Sequence, residues 1–147
     1  MPIAPATLPA DPSPQVSAAL KWVEGVASAN FDLLASAIAD DYEHVLQPAS
    51  LGAPPIHGRD AVVQMYKNIL PKLQGYVMTI LEIVEGQGKV VVHTIGEADA
   101  QFGFHYKNEY LFTFNVVKQA DGTHKVNKVQ EFTDVEVTKT LMKAVGA

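Results

Sequence analysis

The stretch Phe104–Val117 constrains this chain more than any other. Phe104, Tyr106, Tyr110, Phe112, Phe114 and Val116 fall on every second position, the period of a strand with one apolar face. The opposite face carries His105, Lys107, Glu109, Thr113 and Asn115. Asn108 is the one polar member of the apolar face and stands between two tyrosines. Such an amide either lines a pocket inside a curved sheet or meets a neighbouring backbone group in an ordinary core strand.

Around that strand the chain has 147 residues, 48% of them apolar, which is enough for one globular domain with a real core. The net charge of -5 comes from scattered carboxylates, and the basic residues never cluster, so nucleic acid is not expected as a partner. With no cysteine, disulfides, thiolate catalysis and thiolate metal sites are excluded. His44, His57, His93, His105 and His124 form no compact ligand spacing, so no metal site is expected. The N-terminus lacks the basic start and apolar core of a signal peptide, and no later run approaches membrane-spanning length. The expectation is a soluble cytoplasmic protein without a membrane partner.

Residues 1–12 are rich in proline and alanine and read as a flexible arm before a single domain at 13–147. Ser13-Pro14 places a cap and a proline where a helix prefers them, and apolar spacing carries that helix to about Ala29. Trp22 lies on the margin of its apolar stripe, as core packing or at a pocket. Asn30 caps a second helix expected to end at Asp40-Asp41, and a strand follows from Tyr42 to Pro48. After a Gly/Pro loop, a third helix starts at about Arg59, with Val62, Met65, Tyr66, Ile69, Leu70 and Leu73 as its buried stripe, and Pro71 should end or bend it. Strands are expected over Tyr76–Val84, Lys89–Ala98, the aromatic stretch, and Lys125 to about Val135, with a short helix over Lys139–Val145. The pattern is α+β: three N-terminal helices packed on a strongly curved, mostly antiparallel sheet, forming a cone with an apolar interior.

Several short motifs support a family resemblance. The Asn-Phe-Asp turn, the Ala-Asp-Asp-Tyr-Glu-His strand, His-Gly-Arg-Asp-Ala-Val before the third helix, and the late Asn-Glu-Tyr and Val-Gln-Glu-Phe-Thr-Asp strands, in that order, resemble the SnoaL-like branch of the NTF2-like superfamily over residues 14–137. The resemblance implies a cone-shaped α+β fold, a ligand cavity, and often a homodimer through the outer sheet face. The ketosteroid isomerase pattern of that superfamily needs a tyrosine and two aspartic acids where this chain has Trp22, Leu46 or Gln47, and Tyr110. The epoxide hydrolase pattern needs an arginine between aspartates, whereas the single arginine, Arg59, lies in another element.

The looser cyclase-like pattern requires an acid/base group inside the cone. By alignment the last strand turns Val129, Glu131 and Thr133 inward, and the first turns His44 inward. A carboxylate walled in by apolar side chains loses hydration and becomes useful as a general acid or base, which makes Glu131 the candidate base. His44 is its candidate partner, either passing the proton on or holding the carboxylate in place. Asn108 and Tyr110 are the candidate donors to a developing enolate oxygen. Trp22, Tyr42, Tyr66, Tyr106, Phe112 and Val129 are the expected ligand contacts, with Asp134 and His57 as reserve groups. These residues imply a small cofactor-independent cyclase, isomerase or dehydratase acting on a hydrophobic carbonyl compound such as a polyketide or terpenoid intermediate. The alternative is a non-catalytic module that binds a small apolar ligand or a protein partner.

Overall fold

The computed structural model describes residues 8–100 and 103–146. Helix α1 spans Pro14–Ala27, with the Ser13 hydroxyl accepting the Val16 N–H at 3.2 Å as its N-cap. It stops two residues short of the expected end because Ala29 takes a left-handed φ of 51° and the chain turns back. Gly25 lets the next helix close in: a Cβ there would stand 2.7 Å from the Leu34 backbone nitrogen. That helix, α2 (Phe31–Ser36), is capped by Asn30, whose side-chain oxygen accepts the Leu33 N–H at 3.0 Å.

Strand β1 covers Ile38–Gln47. It takes over the residues expected to finish the second helix, because Ala37, Ile38 and Ala39 are buried where β1 pairs in parallel with the last strand. Tertiary pairing overrides the local helical spacing here. The register between the two strands shifts between Ile38 and Glu43, and the guanidinium of Arg59 donates to the Ile38 carbonyl at 2.9 Å and to Asp40 at 2.7 Å. The chain's only arginine thus braces the irregular start of β1. A two-residue strand β2 (Ile56–His57) and helix α3 (Arg59–Ile69) follow, and α3 gives way to a 3-10 turn at Leu70–Lys72, where Pro71 lies.

The long strands β3 (Leu73–Gly86), β4 (Lys89–Ala100), β5 (His105–Lys118) and β6 (His124–Thr133) complete a six-stranded sheet of order β2-β1-β6-β5-β4-β3. Among the described residues only the β1–β6 pairing is parallel. Register shifts in β3 and between Asn115 and Val116 interrupt the ladders and bend the sheet. The last shift leaves Asn127 unpaired, which is why Val126 and Val129 are both buried although they differ in parity. Helix α4 (Val135–Val145) begins four residues earlier than expected because Asp134 caps it, accepting the Val137 N–H at 3.1 Å.

The expected α+β architecture is therefore present, with helices over one face of a curved sheet. The expected arm at 1–12 falls mostly outside the described residues, and within them Leu8 packs against the core. Among the described residues no helix is long and apolar enough to cross a membrane.

Candidate active site

Strand β5 alternates as its sequence implies: Tyr106, Asn108, Tyr110, Phe112 and Phe114 are buried, and the residues between them face outward. The Asn108 amide is fully engaged. Its Nδ2 donates to the Tyr106 hydroxyl at 3.1 Å and to Thr138 Oγ1 at 3.0 Å, while its Oδ1 accepts the Asp134 N–H at 3.2 Å. Asn108 thus ties β5 to the start of α4, and its expected role as a free donor to substrate is revised to one of positioning. The Tyr106 hydroxyl also bonds to that of Tyr110. Tyr76 of β3 reaches the same region over Gly96, where a Cβ would meet the Tyr76 hydroxyl at 2.7 Å and the Tyr110 ring at 3.0 Å.

At the other end of the cavity Glu131 projects from β6, where Oε1 accepts a hydrogen bond from Tyr66 of α3 at 3.0 Å. His44 Nε2 lies 3.3 Å from the same oxygen, but off the line of a hydrogen bond, so among the described residues this fully buried ring nitrogen has no hydrogen-bond partner. Both contacts are to Oε1, and among the described residues no hydrogen bond is made to Oε2. Behind His44, the Tyr42 hydroxyl stands 2.9 Å from Nδ1 and accepts from the Trp22 indole at 3.2 Å. The indole stacks over the imidazole at a centroid distance of 6.0 Å.

Glu131 and Tyr66 border a partly enclosed cavity of about 140 Å³, whereas His44, expected to face it, is fully buried behind Glu131 with Tyr42 and Trp22 and is not part of its lining. The cavity volume is about the room one benzene-like ring needs. Tyr66, Tyr76, Tyr106 and Tyr110 line it together with Glu131, and aliphatic side chains such as Met65, Ile69 and Leu141 complete the wall. Of the chain's five tyrosines only Tyr42 lies outside the lining. Burial raises the phenol of Tyr66 well above its ordinary value, with the charge of Glu131 adding to it. Burial likewise holds Tyr110 well above its ordinary value, raises Tyr76, and pushes Tyr106 up to about 12. All four are therefore neutral hydrogen-bond donors at physiological pH. A wider depression of about 280 Å³ on the outer face, beside Glu97, Asp99 and His105, is more open to solvent and less suited to sequestering an apolar ligand.

Several expected contacts lie elsewhere. Trp22, Tyr42 and Val129 are buried in the core but do not line the cavity. Asp134 is an exposed helix cap, and His57 is a largely exposed residue 3.8 Å from Glu43 across the β1–β2 pair. Tyr66, Tyr106, Tyr110, Phe112, Asn108 and Glu131 do line it. Tyr76 was not anticipated, although Gly96, inside a strand and not at its end, is the mark of a side chain crossing the backbone.

The SnoaL-like domain model matches residues 19–136. The chain belongs to the SnoaL-like family. This SnoaL-like protein is 31% identical over 116 residues to the monooxygenase nsrS of Aspergillus novofumigatus, an alignment covering 77% of this chain and 73% of that protein. Its fold is similar to that of the BvnE pinacolase from Penicillium brevicompactum, with a TM-score of 0.73, 21% identity, and coverage of 90% of this chain and 94% of that one. It is also similar to an NTF2-like protein from Burkholderia xenovorans, with a TM-score of 0.66, 16% identity, and coverage of 90% and 95%. The SnoaL-like protein thus has the NTF2-like fold.

Proposed function

We propose that this SnoaL-like protein is an acid/base enzyme that removes a proton from the carbon beside a carbonyl of a small hydrophobic compound, leading to isomerisation, cyclisation or loss of water. The observation that carries this reading is the Glu131 carboxylate at the cavity wall, with Oε1 held by Tyr66 at 3.0 Å and faced by His44 at 3.3 Å. Held this way, Glu131 takes the substrate proton on Oε2. The neutral phenols of Tyr110 and Tyr76 then supply hydrogen bonds as negative charge develops on the carbonyl oxygen. The apolar wall excludes water from the enolate. Asn108 contributes by orienting Tyr106.

The test is hydrogen–deuterium exchange at the α-carbon of cyclohexanone and 2-tetralone, followed by NMR in deuterated buffer. Exchange above the buffer rate that disappears in Glu131→Gln supports the reading, and exchange unchanged by that substitution overturns it.

A second reading draws on the relative named as a monooxygenase, which at 31% identity shares most of this chain's length. In it the deprotonated substrate itself reduces dioxygen, one oxygen atom becoming a new carbonyl on the deprotonated carbon, which loses its second hydrogen, and the other leaving as water. Turnover that requires air and consumes dioxygen favours this reading, whereas equal turnover without oxygen favours the first.

We further propose a homodimer through the outer sheet face, where Leu111 and Phe132 are directly opposite each other on β5 and β6 and are 44% and 47% exposed.

A further inference from the structure

Trp22 and Tyr42, which do not line the cavity, are the first two members of a hydrogen-bond chain that stops at His44. An indole N–H is a donor only, so the 3.2 Å contact makes the Tyr42 oxygen an acceptor from Trp22. Burial keeps the Tyr42 phenol protonated, so it has a hydrogen of its own to place. Among the described residues the acceptor within reach is His44 Nδ1, at 2.9 Å. Were the hydrogen on Nδ1 instead, the Tyr42 O–H would be left in the core without an acceptor. Such an orphan donor is costly, whereas a hydrogen on Nε2, although off the line of a hydrogen bond, faces the Glu131 carboxylate. Nδ1 therefore accepts, and the neutral ring carries its hydrogen on Nε2, the atom 3.3 Å from Glu131 Oε1.

We infer that Trp22 and Tyr42 are positioning residues that lock His44 as the Nε2–H tautomer, so that the nitrogen facing Glu131 at 3.3 Å carries a hydrogen toward the carboxylate, off the line of a hydrogen bond, and cannot accept one from it. Of the two roles open to the imidazole, relay or brace, the chain Trp22–Tyr42–His44 selects the brace. The proton taken from substrate then stays on Glu131 and leaves from it. The catalytic meaning of this tautomer rests on the acid/base reading of Glu131, but the tautomer itself does not.

Long-range proton–nitrogen correlation spectra of the uniformly nitrogen-15-labelled full chain read the ring nitrogens of His44 directly. The expected wild-type result at neutral pH is a pyridine-type Nδ1 and a pyrrole-type Nε2. A pyrrole-type Nδ1, or an averaged pair, overturns the inference. Since the Glu131 carboxylate also attracts an Nε2 hydrogen, Glu131→Gln is the stricter arm: an amide can donate to Nε2 or accept from it, which leaves the choice to Tyr42. The Nε2–H pattern should persist in Glu131→Gln, and its loss there overturns the role of Tyr42. Adding Tyr42→Phe to Glu131→Gln should convert the pattern to an average of both tautomers, and an unchanged pattern again overturns it. If that double variant does not fold, Trp22→Phe with Glu131→Gln replaces it with the same expected averaging, because Tyr42 is then free to accept from Nδ1. No turnover is read in these spectra. Failure of the acid/base reading would appear as unchanged proton exchange in Glu131→Gln and is thereby separable from failure of the tautomer lock.

Discussion

His44 and Glu131 meet because β1 and β6 run parallel, with His44 opposite Val129 and Leu46 opposite Glu131. Two residues apart on the same face, the side chains bring Nε2 to 3.3 Å from Oε1. Without the parallel pairing of the first strand to the last, an imidazole and a carboxylate separated by most of the chain would not meet, the carboxylate at the cavity wall and the imidazole buried behind it.

Glu131→Gln keeps an acceptor for the Tyr66 hydroxyl but removes the base. Catalysed α-proton exchange should fall by about 10²–10⁴-fold. The thermal midpoint should change little, since the Tyr66 hydrogen bond retains an oxygen partner. Exchange kinetics beside a circular-dichroism melt check both halves, and a large loss of stability would mean that the carboxylate serves folding more than chemistry.

The buried tyrosines make stability fall at high pH. Tyr42, Tyr66, Tyr76, Tyr106 and Tyr110 all have raised folded-state values, chiefly through burial. The unfolded chain releases those protons near pH 10 while the native state keeps them. Above that pH the unfolded state binds fewer protons, and stability declines as pH rises. For Tyr106, pushed from 10.0 to about 12, the decline between those values is roughly 3 kcal/mol. Urea melts from pH 9 to 12 should show a steep loss, and Tyr106→Phe should make it less steep, with the other four tyrosines still contributing. A flat wild-type profile would contradict the burial of these phenols.

Much of this arrangement was legible in the sequence. The period-two pattern of β5 placed Tyr106, Asn108 and Tyr110 on the inner face, and the ends of α1 and α3 were marked by Ser13, Pro14 and Pro71. Alternation put Tyr42 and His44 on one face of β1, but that this face is the buried one was implied by the family resemblance and not by the pattern. Three features were not legible, for physical reasons. Ile38–Asp41 belongs to β1 because β6, distant in sequence, pairs with it at Ile38 and again from Glu43, and local spacing carries no trace of that. Asn108 looked like a free donor because its partners, Thr138 and Asp134, belong to a helix whose first turn lacks a strong local signal. Trp22 and Tyr42 are aromatic and inward-facing, yet only the three-dimensional layering puts them behind His44 and not at the ligand.

His105 should titrate above its ordinary value. Hydrogen bonds to Glu97 at 2.8 Å and Asp99 at 3.1 Å favour the imidazolium on this solvent-exposed outer face. The sign is that of a raised group: its contribution to stability is complete below the ordinary value of 6.5 and disappears as pH rises through the raised one. A proton NMR titration should place His105 above 6.5, and Glu97→Gln should lower it. Equal titration of wild type and variant would show that Glu97 has no influence in solution.

Gly96→Ala tests the tyrosine end of the cavity. The new methyl would stand 2.7 Å from the Tyr76 hydroxyl and 3.0 Å from the Tyr110 ring, so at least one phenol must move. Overpacking of this kind costs about 1–3 kcal/mol. If the phenols stabilise the enolate, the exchange rate should fall along with stability even at temperatures where the variant is fully folded. Exchange at the wild-type rate in a folded Gly96→Ala protein would remove Tyr76 and Tyr110 from the mechanism.

The outer sheet face gives the last prediction. Leu111 and Phe132 form a directly opposed pair, each nearly half exposed, on the face of the sheet turned away from the cavity. Apolar side chains paired in this way on a rigid sheet match a self-complementary two-fold contact, in which the same patch serves both copies. The wild-type protein should sediment as a dimer at high micromolar concentration. Phe132→Asp introduces a charge that the contact would have to desolvate, so it should shift the mass to that of a monomer. The substitution is remote from Glu131 Oε2, because alternate residues of β6 point to opposite faces. Proton exchange per chain should therefore survive in the monomer, which separates a role for this face in assembly from one in catalysis, and a monomeric wild type would rule out the proposed interface.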